Sequence, residues 1–137
     1  MRMPAIHRRN CRFSSLPLRR QQGTSKVSIY VPSTCDVDKA DEGDLQGKFV
    51  NIIIKEFSEM FGGATATDAI GGWFSKDAGI VKERVKIVYA YCTKEAFVQN
   101  FDHVLALAKQ ICIEMSQEAV TVEYNGKAAF ITSEMAA

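Results

Sequence analysis

The chain has 137 residues, of which 47% are hydrophobic and 24% charged, with a formal net charge of +1 and four cysteines. That length fits one domain, large enough to bury a core without disulfides or metal. The near-neutral total conceals a break near residue 25. Residues 1–25 hold six arginines and no acid, which leaves 11 basic against 16 acidic residues, a net of −5, in the rest. A body of that charge does not have the character of a nucleic-acid-binding surface.

Residues 1–25 contain Arg2, Arg8, Arg9, Arg12, Arg19 and Arg20. They are expected to form a disordered basic arm, because their low apolar content cannot offset the entropy of ordering. The same composition also fits an organelle transit peptide, an extension from an early start codon, or a tail that binds nucleic acid with a salt slope of about −5 on duplex DNA. Pro4 and Pro17 leave little room there for a continuous amphipathic helix. The arm lacks the apolar stretch of a secretory signal, and no apolar run reaches the ~20 residues of a spanning helix, so no membrane partner is expected. Cys11, Cys35, Cys92 and Cys112 show no C-x-x-C spacing. Structural thiols in a reducing cytoplasm are therefore predicted, with no disulfide framework, metal centre or cofactor.

Residues 26–137 read as a single α+β domain. Val27, Ile29 and Val31 alternate on one face of a first strand that Pro32 ends. Asp36, Asp38, Asp41, Glu42 and Asp44 form an acidic loop, which misses the ligand frame of a calcium loop and suits the N-terminus of a following helix. From Leu45 the apolar positions Phe49, Ile52, Ile53, Phe57, Met60 and Phe61 follow helical spacing, and Gly62-Gly63 stops the helix. Phosphate binding at these glycines is unfavourable, because they follow a helix and so meet its negative end.

Residues 64–74 and 80–92 flank Ser75-Lys76-Asp77-Ala78-Gly79 as a hairpin. Thr93 is placed to cap a helix running to about Ser116, with Phe97, Phe101, Val104, Leu105, Ala108, Ile111, Cys112 and Met115 as its apolar stripe. Residues 120–124 and 128–132 flank Asn125-Gly126, the clearest two-residue turn in the chain. The order βαββαβ plus one strand predicts a ferredoxin-like plait with an extra C-terminal strand: an antiparallel sheet carrying two helices on one face. In the second hairpin strand Ile87, Tyr89 and Tyr91 alternate with Val88, Ala90 and Cys92, so both faces are apolar. Cover on the second face by another copy, a homodimer, is expected.

Candidate chemistry is sparse. Cys92 stands where a strand hands over to a helix N-terminus, near Lys94, a setting that lowers a thiol pKa, but no histidine partner is evident and packing is the simpler role. His103 shares the polar side of the second helix with Gln99 and Gln110. Trp73, Tyr89, Tyr91, Thr65 and Thr67 lie on the central hairpin with Glu83 and suit core, an interface or a small-molecule pocket.

The run F-G-G-A-T, then G-G-W-F, E-R-V-K-I-V-Y-A-Y-C and a long amphipathic helix resembles a loose group of small bacterial proteins of no known activity. The resemblance spans roughly residues 26–132 and implies a bacterial cytoplasmic protein. With no convergent catalytic set in view, the leading expectation is a dimeric binding or regulatory module without catalytic machinery. The alternative is a small enzyme with a pocket on the open sheet face, Glu83 serving as acid or base. A third reading is nucleic-acid binding through the arm.

Overall fold

The computed structural model describes residues 24–34 and 44–135. Most of the basic arm, most of the acidic loop, Cys11 and Cys35 lie outside the described residues. The elements run in the order β1 (Ser25–Pro32), α1 (Leu45–Phe61), β2 (Thr65–Ser75), β3 (Gly79–Cys92), α2 (Lys94–Glu114), β4 (Val120–Tyr124) and β5 (Lys127–Ile131). Ser25 therefore belongs to the first strand rather than to the arm.

Local chemistry sets these boundaries. Asp44, at φ 52°, caps α1 by accepting from the Gly47 amide at 3.1 Å, which satisfies a donor with no partner inside the helix. Gly62, at φ 93°, ends α1 and donates its N–H to the Ser58 carbonyl at 2.9 Å. The Thr93 hydroxyl caps α2 by accepting from the Ala96 amide at 3.1 Å. Asn125 and Gly126 both have positive φ, 51° and 81°, the conformation a two-residue hairpin turn requires. The same Asn125 ties this turn to β1, its carbonyl oxygen accepting from the Lys26 amide at 2.8 Å.

The five strands form one antiparallel sheet in the order β2-β3-β1-β4-β5. The α+β class, the antiparallel sheet, the two helices and the extra C-terminal strand agree with expectation. The fifth strand lengthens the sheet beyond β4, so the order is not that of a strict four-stranded plait.

Val27, Ile29 and Val31 of β1, Val88, Ala90 and Cys92 of β3, and Val120 and Val122 of β4 share one buried cluster with Phe49, Ile53 and Phe57 of α1 and Val104, Ala108 and Ile111 of α2. Burying each large apolar side chain contributes about 1.5–3 kcal/mol. The stripe on α2 is rotated from the expected one, with Leu107 buried and Phe101 exposed. Phe101 instead packs edge-on against Phe97 at 5.6 Å.

The opposite parity of the sheet carries Lys26, Ser28 and Tyr30 of β1 and Glu83, Val85, Ile87, Tyr89 and Tyr91 of β3. Tyr91 is 60% exposed there. Of the two apolar parities of β3, the helices thus cover one. Among the described residues no helix is long and apolar enough to cross a membrane.

Candidate functional site

The site is built where β3 outruns the helical layer. In the β2–β3 register Trp73 pairs with Val81, Gly71 with Glu83, Thr67 with Ile87 and Thr65 with Tyr89. All of these lie on one face, because side chains of a strand alternate. Gly71 brings no side chain opposite Glu83, and Gly72 follows on the other parity, so Trp73 and Glu83 flank open space.

That space is a cavity of about 570 Å³ lined by Thr34, Trp73, Val81, Lys82, Glu83, Gln117, Glu118 and Ala119. Its size is in the range of small-molecule sites. The Thr34 hydroxyl donates to a Glu83 carboxylate oxygen at 3.4 Å. Gln117 fixes the far wall: its side-chain amide donates to the Thr34 carbonyl at 2.7 Å and to the Met115 carbonyl at 3.0 Å. The Gln117 carbonyl in turn accepts from the Cys112 thiol at 2.9 Å. The end of α2, the end of β1 and the first half of β3 are thereby joined into one wall. Two carboxylates, Glu83 and Glu118, face one ammonium, Lys82, so the lining favours a cationic ligand.

The structure separates the residues singled out in the sequence into two groups. Trp73 and Glu83 share the cavity. Tyr89 stands six residues along β3 from Glu83, about 20 Å at strand rise, and neither it, Tyr91, Thr65 nor Thr67 lines the cavity. Tyr89 and Tyr91 pack edge-on at 5.9 Å, with the Lys26 ammonium 4.3 Å above the Tyr89 ring. Beside them the Tyr30 hydroxyl donates to Glu123 at 3.5 Å. Burial, then the Glu123 charge and hydrogen bond, raise the Tyr30 phenol above its ordinary value.

Cys92 belongs to the helix-covered side, 7% exposed within the core. Burial pushes its thiol up, opposite to the activation that a helix N-terminus and a cation would give. His103 pairs with Glu56 across the two helices at 3.3 Å. Among the described residues no group of three or more His, Cys, Asp or Glu side chains is placed to hold a metal ion.

Sequence reasoning missed Thr34, Gln117 and Glu118. Gln117 stands 83 positions from the Thr34 carbonyl it grips, so no local pattern could have joined them. A second cavity, of about 350 Å³, lies toward the start of α1 and is lined by Gln46, Asp68, Ala69, Ile70, Arg84, Val85 and Lys86. Lys86 and Asp68 form an ion pair there at 2.8 Å. The hydrogen bond and charge of Lys86 hold the Asp68 carboxyl below the usual carboxylate range.

No family model and no curated protein matches the chain. Solved structures do match, and two of them are phage SAM lyases. One is a phage SAM lyase in complex with S-methyl-5'-thioadenosine, 21% identical over 84% of this chain and 94% of that one, with a TM-score of 0.54. The other is a phage SAM lyase in the apo state, 20% identical over the same shares, with a TM-score of 0.57. At this identity the likeness is one of fold. It corrects the expectation of a binding or regulatory module without catalytic machinery, since the solved structures sharing the fold are those of an enzyme.

Proposed function

We propose that the chain is a small enzyme whose active site is the cavity between Trp73, Glu83 and the segment 117–119, acting on an adenosyl sulfonium substrate of the SAM type. The strands β2-β3-β1-β4 are read as a ferredoxin-like plait extended by β5, in a cytoplasmic protein that self-associates as a homodimer. One observation carries the functional reading. An indole and a carboxylate face the same small-molecule cavity in a fold shared with SAM lyase.

The chemistry suits these residues. A flat purine stacks on an indole, and a sulfonium is a cation that an aromatic face and two carboxylates attract. Lys82 at the rim complements the substrate's own carboxylate. Release of a thioether from a sulfonium moves the carbon–sulfur bonding pair to sulfur, which becomes neutral and departs. The sulfonium charge already makes this leaving group a good one, so electrostatics and one proton acceptor are sufficient. Glu83 is that acceptor: its carboxylate takes a proton from the carbon adjacent to the one bonded to sulfur, and that C–H electron pair becomes a carbon–carbon double bond of the departing four-carbon fragment as the C–S bond breaks. Thr34 orients Glu83 by its hydrogen bond.

Trp73 is the single tryptophan of the chain, so tryptophan emission comes from the cavity wall. Titration with S-methyl-5'-thioadenosine is expected to shift or quench that emission saturably. The shift should persist in Tyr91→Phe, whose side chain lies outside the cavity. An unchanged emission up to millimolar ligand contradicts the reading.

A further inference from the structure

Strand β2 is an edge of the sheet, and an edge strand turns alternate N–H and C=O groups toward solvent, where another strand can pair with them. Natural edges are blunted by brevity, lysine, proline or a bulge. β5, at the other edge, is five residues long and begins with Lys127. β2 has none of these guards. It runs for 11 residues, T-A-T-D-A-I-G-G-W-F-S, without Lys, Arg or Pro, in unbroken register with β3. Its one charge, Asp68, is bound to Lys86 at 2.8 Å. Ile70 and Phe74 are 71% and 72% exposed, Trp73 is 48% exposed, and Ile80, the cross-strand partner of Phe74, is 65% exposed.

The sequence of this edge is complementary to itself. In an antiparallel pair related by a two-fold axis at Ile70, all 11 residues are used, because Thr65 meets Ser75 of the other copy. Ile70 then meets Ile70, Thr67 meets Trp73, Ala66 meets Phe74, and Asp68 meets Gly72. Beyond the strand Lys76 meets Ala64 and Asp77 meets Gly63, so no like charges oppose. Moving the axis to Asp68 sets two carboxylates face to face, and moving it to Gly72 leaves only residues 69–75 paired. We propose that a second copy of the chain pairs with β2 in the Ile70-centred register, joining two five-stranded sheets into one of ten strands. This pairing does not rest on the catalytic reading of the cavity.

The test uses the full chain. Native mass spectrometry is expected to give twice the 15.2 kDa of one chain. Ile70→Lys is expected to raise the dimer dissociation constant about tenfold or more with unchanged far-UV circular dichroism, while Val98→Lys on the outer surface of α2 leaves it unchanged. Register is read by a disulfide. In a Cys11→Ser, Cys35→Ser background, Ile70→Cys is expected to form an intermolecular disulfide on mild oxidation, because antiparallel partners stand about 4.5–5.5 Å apart. Thr65→Cys, whose partner is Ser75, is expected to form none. A monomer at all concentrations, a dimer unaffected by Ile70→Lys, or a dimer without the 70–70 disulfide overturns the proposal. Capture of a different protein by β2 in place of a second copy overturns it equally.

Discussion

Single side chains decide which groups are available for chemistry. Cys92 and Cys112 are both buried thiols, and in each case burial raises the thiol above its ordinary value. For Cys112 a backbone hydrogen bond from Ser133 partly opposes this. Because the thiolate is the reactive form, a raised value means less reaction at neutral pH. Iodoacetamide is therefore expected to leave both thiols unmodified in the native chain at pH 7.5 and to label both in denaturant, as peptide mapping would show. Labelling of native Cys92 at the rate of a free thiol contradicts the placement. Glu83, by contrast, faces a cavity, with a hydroxyl donor at 3.4 Å and an indole on the same wall. Cys92→Ser is expected to leave turnover within a factor of about two, since its side chain packs with the core rather than the cavity.

At the scale of elements, termini and turns were the most legible part of the sequence. Gly62-Gly63 marks the end of α1, Thr93 the start of α2 and Asn125-Gly126 the last turn, because each carries out a backbone task that few residues can perform. Gly62, at φ 93°, is expected to cost about 1–2 kcal/mol on replacement by Ala. Phe57, fully buried on the core face of α1, costs about 3–5 kcal/mol on replacement by Ala through the cavity left behind. Urea denaturation of both variants orders the two effects, and a Gly62→Ala loss larger than that of Phe57→Ala contradicts the packing described. The rotation of the α2 stripe toward Leu107 was not legible, because periodicity fixes a face only to within a residue or so. The final choice depends on what the facing strands offer. The exposure of Ile70, Phe74 and Ile80 was equally hidden, since alternation says which residues share a face but not whether anything covers it.

At the scale of the molecule, the sheet divides the labour. Both helices bury the parity of Val27, Ile29 and Val31, leaving the other parity to carry Trp73, Glu83, Tyr89 and Tyr91. Sequence pattern alone placed those four on one hairpin and left core, interface and small-molecule pocket open for them. Strand rise along β3 carries the tyrosines far from Glu83, and the cavity is completed by Thr34 and the segment 117–119. Such walls are set by chain crossings that no local pattern records. The same long β3 explains how a chain of this size combines a core with a cavity, since its outer half lies beyond the helices and is free to line a site. The most direct measurement is chromatographic analysis of SAM incubated with the purified full-length chain and with Glu83→Gln. Formation of S-methyl-5'-thioadenosine by the native chain, falling by about 10²–10⁴ in Glu83→Gln with the fold intact, is the predicted result. No product from the native chain, or equal turnover by the variant, contradicts a catalytic role for Glu83 in this cavity.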